Sequence, residues 1–321
     1  MALTETTHRT IETNGIRMHV AEQGAGPLVV LCHGFPESWY SWRHQLGALA
    51  RAGFHAVAPD MRGYGGTDAP QAVERYTQLH HVGDMVGVLD ALGEQEAVIV
   101  GHDWGAPVAW NAALLRPDRF RAVAALSVPF APRGSVPPTR ALRAAYGERF
   151  MYMLYFQEPG VAEAELDRDA RTTLRRMLYA ISGEAPPGVG FHDKKKGARL
   201  LDGMPDPERL PSWLTEADVD AYATDFARTG FRGGLNWYRN LDRTWELMAP
   251  WHHATVSAPA LFIAGDRDPV VAGMMRAALE QLPATVPQLR GRIVLPGCGH
   301  WTQQERPAEV TRELLAFLSS L

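Results

Sequence analysis

Cysteine is nearly missing from this chain: Cys32 and Cys298 are the two it has in 321 residues. That is too few for a disulfide framework and points to a reducing compartment, with the cytoplasm as the simplest setting. Long apolar runs are missing as well. No stretch approaches the ~18 apolar residues of a membrane span, and the opening MALTETTHRTIETNG lacks the apolar centre of a signal peptide. A soluble, intracellular protein with no membrane partner is the expectation. There is no basic excess either, with Lys+Arg 32 against Asp+Glu 36 and a formal net charge of −4. The one basic run, Lys194-Lys195-Lys196, reads as a solvated loop, so nucleic acid is not an expected partner. His80-His81 and His252-His253 are adjacent pairs with no HExxH or Cys/His spacing around them, which argues against a metal site.

What the chain does have is a hydrophobic content of 46%, enough for a large core. Its length suggests one core plus an insertion. Ile16–Gly24 alternates as a strand, and Pro27–Gly34, His55–Asp60, Glu96–Gly101 and Arg121–Val128 are short apolar runs typical of buried strands. Trp39, Trp42, Leu46 and Leu49 fall on one helical face, and His80–Gly93 is similarly periodic. Alternation of this kind predicts an α/β fold, a mostly parallel sheet with helices on both faces. From about Pro129 the strand signals stop and helical stretches such as Thr172–Ile181 take over. Strands resume at Ala258–Asp268 and Gly291–His300, and Ala308–Leu321 closes as an amphipathic helix. The expected organisation is a core of residues 1–128 and 259–321 interrupted by a helical lid, residues 129–258.

Three strand ends carry acids or a histidine. Gly101-His102-Asp103-Trp104-Gly105 has the outline of a nucleophile elbow, G-x-S-x-G, with aspartate in place of serine. Glycines suit the close backbone approach there, and the next helix N-terminus favours an ionised Asp103. An ordinary strand–helix turn with an aspartate cap fits this stretch equally well. His300 follows the last strand. Asp268 ends the previous one and is suited to orient His300 through Nδ1, with Asp266 two residues away as its competitor. Nucleophile, acid, histidine is the chain order of α/β-hydrolases, and it raises three weak signals together. His33-Gly34-Phe35-Pro36 follows a strand where that fold places an oxyanion donor. The Phe35 and Trp104 backbone N–H groups are the candidates.

With these pieces in place the chain resembles the soluble epoxide hydrolases, the aspartate-nucleophile branch of the α/β-hydrolase superfamily. The resemblance runs through HGFPESWYSWRHQ, DMRGYGGTDAP, GHDWGA, YFQEPGVAEAEL, LNWYRN, GDRDPV and GCGHWTQQERP, nearly the whole chain. It implies Asp103 as nucleophile, Asp268 as acid and His300 as base. It also implies two lid tyrosines that hold the epoxide oxygen, matched by Tyr152 in MYMLYFQEPG and Tyr238 in LNWYRN, with Tyr155 as the fallback if the register is off.

The chemistry suits such residues. An epoxide carbon is an alkyl electrophile that an ionised carboxylate opens by in-line displacement, leaving an ester of Asp103 that water can hydrolyse. Neutral tyrosines donate to the departing oxygen. A neutral His300 then takes a proton from water with Asp268 beside it. No metal or organic cofactor enters. Met151, Met153, Leu154, Phe156, Trp237 and Met248 are candidates to wall an apolar pocket together with Phe35 and Trp104, which favours lipophilic epoxides, although lid-to-core packing is the preferred reading for most of the six. A haloalkane or haloacid dehalogenase is the nearest alternative, since a tryptophan after the aspartate also suits a halide. A non-catalytic ligand receptor on the same scaffold is the more distant one. A homodimer is left open.

Overall fold

Each residue of the strand Ala97–His102 is buried, and its side chains part alternately into two apolar layers. Ala97 and Ile99 join one layer, Val98 and Val100 the other. Burial on both faces is why the strand reads as one continuous apolar run. The computed structural model describes residues 5–186, 188–190 and 194–321. Eight strands make one sheet: β1 (Thr7–Thr13), β2 (Ile16–Gln23), β3 (Leu28–Cys32), β4 (His55–Pro59), β5 (Ala97–His102), β6 (Phe120–Leu126), β7 (Ala260–Gly265) and β8 (Leu289–Leu295). Their order across the sheet is β1-β2-β4-β3-β5-β6-β7-β8. From β4 onward every neighbouring pair is parallel; β2 is antiparallel to both β1 and β4.

β1 departs from the sequence expectation, which began the sheet at Ile16. Five of its seven residues are exposed and charged or polar, because it is an edge strand that buries only Ile11 and Thr13. Asn14 and Gly15, both with positive φ, close its two-residue turn to β2, the chemistry such a hairpin needs.

One face of the sheet is covered by helices Arg43–Arg51 and Pro307–Leu318, through Leu46, Leu49, Val310, Leu314 and Phe317. Helices Gln78–Leu92 and Gly105–Leu115 cover the other, through Val82, Met85, Val108 and Ala109. Thr77 caps the first of these, its hydroxyl accepting from the His80 N–H, and Gly93 ends it in the left-handed conformation. Between β6 and β7 the described residues form seven α-helices and no named strand. Their apolar faces, Leu174, Leu178, Tyr222 and Leu235 among them, continue the second layer. Among the described residues no helix is long and apolar enough to cross a membrane.

Candidate active site

Phe35 follows β3, Asp103 follows β5, Asp268 follows β7 and His300 follows β8. The four strands are parallel, so one edge of the sheet gathers all four residues, where open α/β sheets place their ligand sites. Asp103 sits at the tip of the β5 turn with φ of +48°, a left-handed conformation that costs about 1–3 kcal/mol for a residue with a side chain. The turn is tight enough to require its flanking glycines. A Cβ on Gly101 would lie 2.0 Å from the Gly105 carbonyl oxygen, and one on Gly105 would lie 2.1 Å from that of Cys32.

The strained turn aims the carboxylate at partners on both sides. Phe35 N–H donates to Asp103 Oδ1 at 2.7 Å. His300 Nε2 stands 3.3 Å from Asp103 Oδ2, while His300 Nδ1 lies 3.0 and 3.1 Å from the two oxygens of Asp268. Asp266 does not reach the ring: it is exposed, and its carboxylate accepts from the Gly297 N–H at 2.7 Å. Trp104 is the cap residue of helix Gly105–Leu115, so its backbone N–H lies at the elbow beside Asp103.

Burial raises the Asp103 carboxyl, but the His300 hydrogen bond and charge outweigh it and hold the group below the ordinary carboxylate value. Burial lowers His300, yet Asp268 and Asp103 together lift it well above the usual imidazole range. In the free protein the two carboxylates thus favour the protonated form of the ring between them. The neutral ring expected from sequence belongs to the later, water-activating step, and the second carboxylate is what favours the protonated ring before it.

Tyr152 opens a short helical turn, Tyr152–Tyr155, and Tyr238 lies in helix Arg232–Arg239. The two rings pack edge-on with centroids 5.9 Å apart. Burial first, and the nearby Asp103 charge second, push both hydroxyls well above the usual phenol value, so both stay neutral donors. The Trp104 and Tyr238 rings pack edge-on, with centroids 5.0 Å apart. Tyr155 faces elsewhere, its hydroxyl donating to Glu165 at 2.8 Å.

Asp103, Tyr152 and Val270 stand where two cavities meet. One is about 430 Å³ and walled by Trp104, Met153, Trp237 and Met248 among others. The other, about 20 Å³, lies among Phe35, Phe156, Tyr238 and His300. Met151 and Leu154, expected on the wall, line neither cavity. Met151 is an extended, buried residue preceding the helical turn that presents Tyr152 and Met153. Trp237 is clamped in place, stacked on His81 at 3.6 Å with its indole N–H on the Arg62 carbonyl.

Two buried residues escaped the sequence reading. The Glu37 carboxylate accepts from Gly34 N–H at 2.9 Å, from His102 Nδ1 at 2.8 Å, and from the Gln303 and Gln304 amides at 3.1 Å. The other His102 nitrogen donates to the His300 carbonyl at 2.7 Å, which also accepts from the Ser127 hydroxyl at 2.9 Å. One carboxylate thus ties the Phe35 loop to the His300 loop. Both residues lie inside motifs noted above, HGFPES and GHDWGA, but only burial distinguishes them from turn residues. Among the described residues no group of three or more His, Cys, Asp or Glu side chains could hold a metal ion.

The family model of the alpha/beta hydrolase fold matches residues 27–307. Epoxide hydrolase A of Mycobacterium tuberculosis is 50% identical over 98% of this chain and 98% of its own length. Epoxide hydrolase 3 of Siraitia grosvenorii is 46% identical over 97% and 98%. Among solved structures, an epoxide hydrolase from an endophytic Streptomyces superposes with a TM-score of 0.94 at 51% identity, covering 98% of this chain and 95% of that one. Epoxide hydrolase A from Mycobacterium thermoresistibile gives 0.92 at 49%, covering 98% of both. A carboxylate held at a strand-end elbow, a histidine paired to a second acid and near identity of fold across the full chain converge: this chain belongs to the epoxide hydrolases of the α/β-hydrolase fold.

Proposed function

We propose that the chain hydrolyses lipophilic epoxides to vicinal diols through an alkyl ester of Asp103. The observation that carries this reading is the two-sided hold on one carboxylate, with Oδ1 on the Phe35 N–H and Oδ2 facing the ring of His300. Oδ1 remains the carbonyl oxygen and Oδ2 attacks one epoxide carbon, breaking that carbon's bond to the ring oxygen. The departing oxygen takes a proton through Tyr152 and Tyr238, and the His300 imidazolium makes that proton good. Ester formation also removes the Asp103 charge that helped keep His300 protonated, so the ring enters the second step as a base.

In that step His300 takes a proton from water and hydroxide adds to the ester carbon. Phe35 and Trp104 N–H groups hold the oxyanion, a kind of contact worth roughly 3 kcal/mol each. Collapse releases the diol, and the ion pair of the free protein returns with no net proton gained or lost. The apolar walls of the 430 Å³ cavity favour lipophilic substrates. Dehalogenation is less well supported, because the neutral hydroxyls of Tyr152 and Tyr238 near Asp103 suit a departing oxygen better than a halide.

Replacing His300 by Gln tests the scheme. Intact-mass spectrometry of the variant incubated with styrene oxide is expected to show protein heavier by one substrate mass, with peptide mapping placing it on Asp103. Unmodified variant protein, under conditions where the wild type consumes the epoxide, would overturn it.

A further inference from the structure

Glu305 is a buried acid with no part in the proposed chemistry. It ends the short helix Thr302–Glu305, just after His300, and its carboxylate turns back on its own loop. Oε2 accepts from the Gly299 N–H at 2.9 Å and Oε1 from the Trp301 N–H at 3.1 Å. Those are the residues on either side of His300. Oε2 also accepts from the Gly183 N–H at 2.9 Å, where the chain leaves helix Ala170–Ala180. All three donors are backbone groups, so what this side chain holds is the path of the chain. The fit leaves little slack. A Cβ on Gly299 would lie 2.2 Å from the Gly183 nitrogen, and one on Gly183 would lie 2.4 Å from the Gly297 carbonyl oxygen.

We propose that Glu305 is a positioning residue for His300, and that it serves hydrolysis of the Asp103 ester more than its formation. This rests on the proposed ester chemistry and adds a supporting part to it. A ring held at one point can swing about that point. Asp268 fixes His300 at Nδ1; the second fixed point is the backbone, and Glu305 supplies it by gripping both flanking N–H groups. Nε2 lies on the far side of the ring from Asp268, so any shift of the backbone is passed to the atom that takes a proton from water. Ester formation depends instead on Asp103, set by its own strand-end turn, and on the two tyrosines.

Glu305→Gln tests this with little change of volume. An amide has one acceptor oxygen, and that oxygen can keep the Gly183 and Gly299 pair only if the amide nitrogen faces the Trp301 N–H. One flank of His300 is then released. A shift of about 0.5 Å there should slow ester hydrolysis about tenfold, given on the order of 100-fold for 1 Å. Rapid-quench intact-mass spectrometry of the whole protein in excess over styrene oxide reads the rise and decay of the Asp103 adduct. Decay is expected to slow about tenfold and rise to stay within about twofold. In steady state kcat and KM should then fall together. The ratio of decay to rise is read only on protein that forms the adduct, so a partly unfolded preparation does not blur it. Glu305→Asp keeps the charge on a stem one carbon shorter; it should slow decay in the same direction, and it carries the test if the amide does not fold.

Asp218→Asn is the control for loosening alone. Asp218 is likewise buried and accepts from the Thr215 N–H at 2.8 Å and the Tyr40 hydroxyl at 2.9 Å. It should lower Tm with the ratio unchanged. Equal slowing of rise and decay in Glu305→Gln, or a lower Tm with neither changed, overturns the positioning role. So does a ratio that moves as far in Asp218→Asn. The His300→Gln adduct reads the ester chemistry separately, so an adduct there with an unchanged ratio here strikes Glu305 alone.

Discussion

Replacing Gly34 by alanine is expected to disable the site while leaving the fold in place. Gly34 precedes Phe35, whose N–H holds Asp103 Oδ1. A Cβ built on it lies 2.3 Å from Asp103 Oδ1 and 2.4 Å from Asp103 Cβ, against the 3.0 Å that real Cβ atoms keep. The shortfall to Oδ1 is therefore about 0.7 Å. Asp103 cannot give way easily: its backbone is already left-handed, and its oxygens are held by Phe35 and His300. A misplacement approaching 1 Å costs on the order of 100-fold in rate, so ester formation should slow by about 30- to 100-fold. Overpacking costs about 1–3 kcal/mol, offset by about 0.4–1 kcal/mol from the stiffer unfolded chain. A fall in Tm of several degrees is the result, with the protein still folded at room temperature. Stopped-flow tryptophan fluorescence of a single turnover reads the first quantity and thermal unfolding the second. Gly273→Ala, where an added Cβ meets nothing within 4 Å, is the control. Ester formation in Gly34→Ala within about threefold of wild type would refute the reasoning.

Other perturbations reach the same site from different directions. Converting both Tyr152 and Tyr238 to Phe should slow ring opening by about 100-fold or more with unchanged circular dichroism, and near-normal turnover would reopen the dehalogenase reading. Asp103→Asn removes one of the two carboxylates that raise His300, so NMR titration should find the imidazole at a lower pKa than in wild type; an unchanged value contradicts the pairing. The linked stability has opposite signs for the two partners. The His300 contribution is present below the ordinary imidazole value and is lost as pH rises through its raised pKa. The Asp103 contribution is present above the ordinary carboxylate value and lost as pH falls through its lowered one. Glu37→Gln breaks a fully buried pair and should cost about 3 kcal/mol or more, seen as a lower urea midpoint; an unchanged midpoint would show that the buried charge adds nothing to stability.

Much of the sheet was legible because its strands are buried on both faces and punctuated by glycine or proline, as at Val98–Gly101 and Ala260–Gly265. β1 was not, since an edge strand with a solvated face carries the composition of a loop; its one signal was the Asn14-Gly15 turn. At the site, Asp103, Asp268 and His300 could be singled out because each ends a strand. Tyr152 and Tyr238 stand in short helices where composition favours no tyrosine over another, and family likeness was needed to choose them. Glu37 and His102 were hidden for a different reason. Their importance is a matter of which donors converge on them across separate loops, and no periodicity records that.

The division of parts between sheet and insertion has a consequence for how the molecule fails. Asp103, Phe35, Asp268 and His300 stand on strand ends, whereas Tyr152 and Tyr238 are supplied by the helices between β6 and β7. On the proposed scheme, helices that loosen ahead of the sheet under mild denaturant would take the two tyrosine donors away and leave His300 and Asp268 where they were. Capture of new epoxide would then stop first, while adducts already formed continued to be cleared, so partial damage would empty the enzyme rather than trap it loaded.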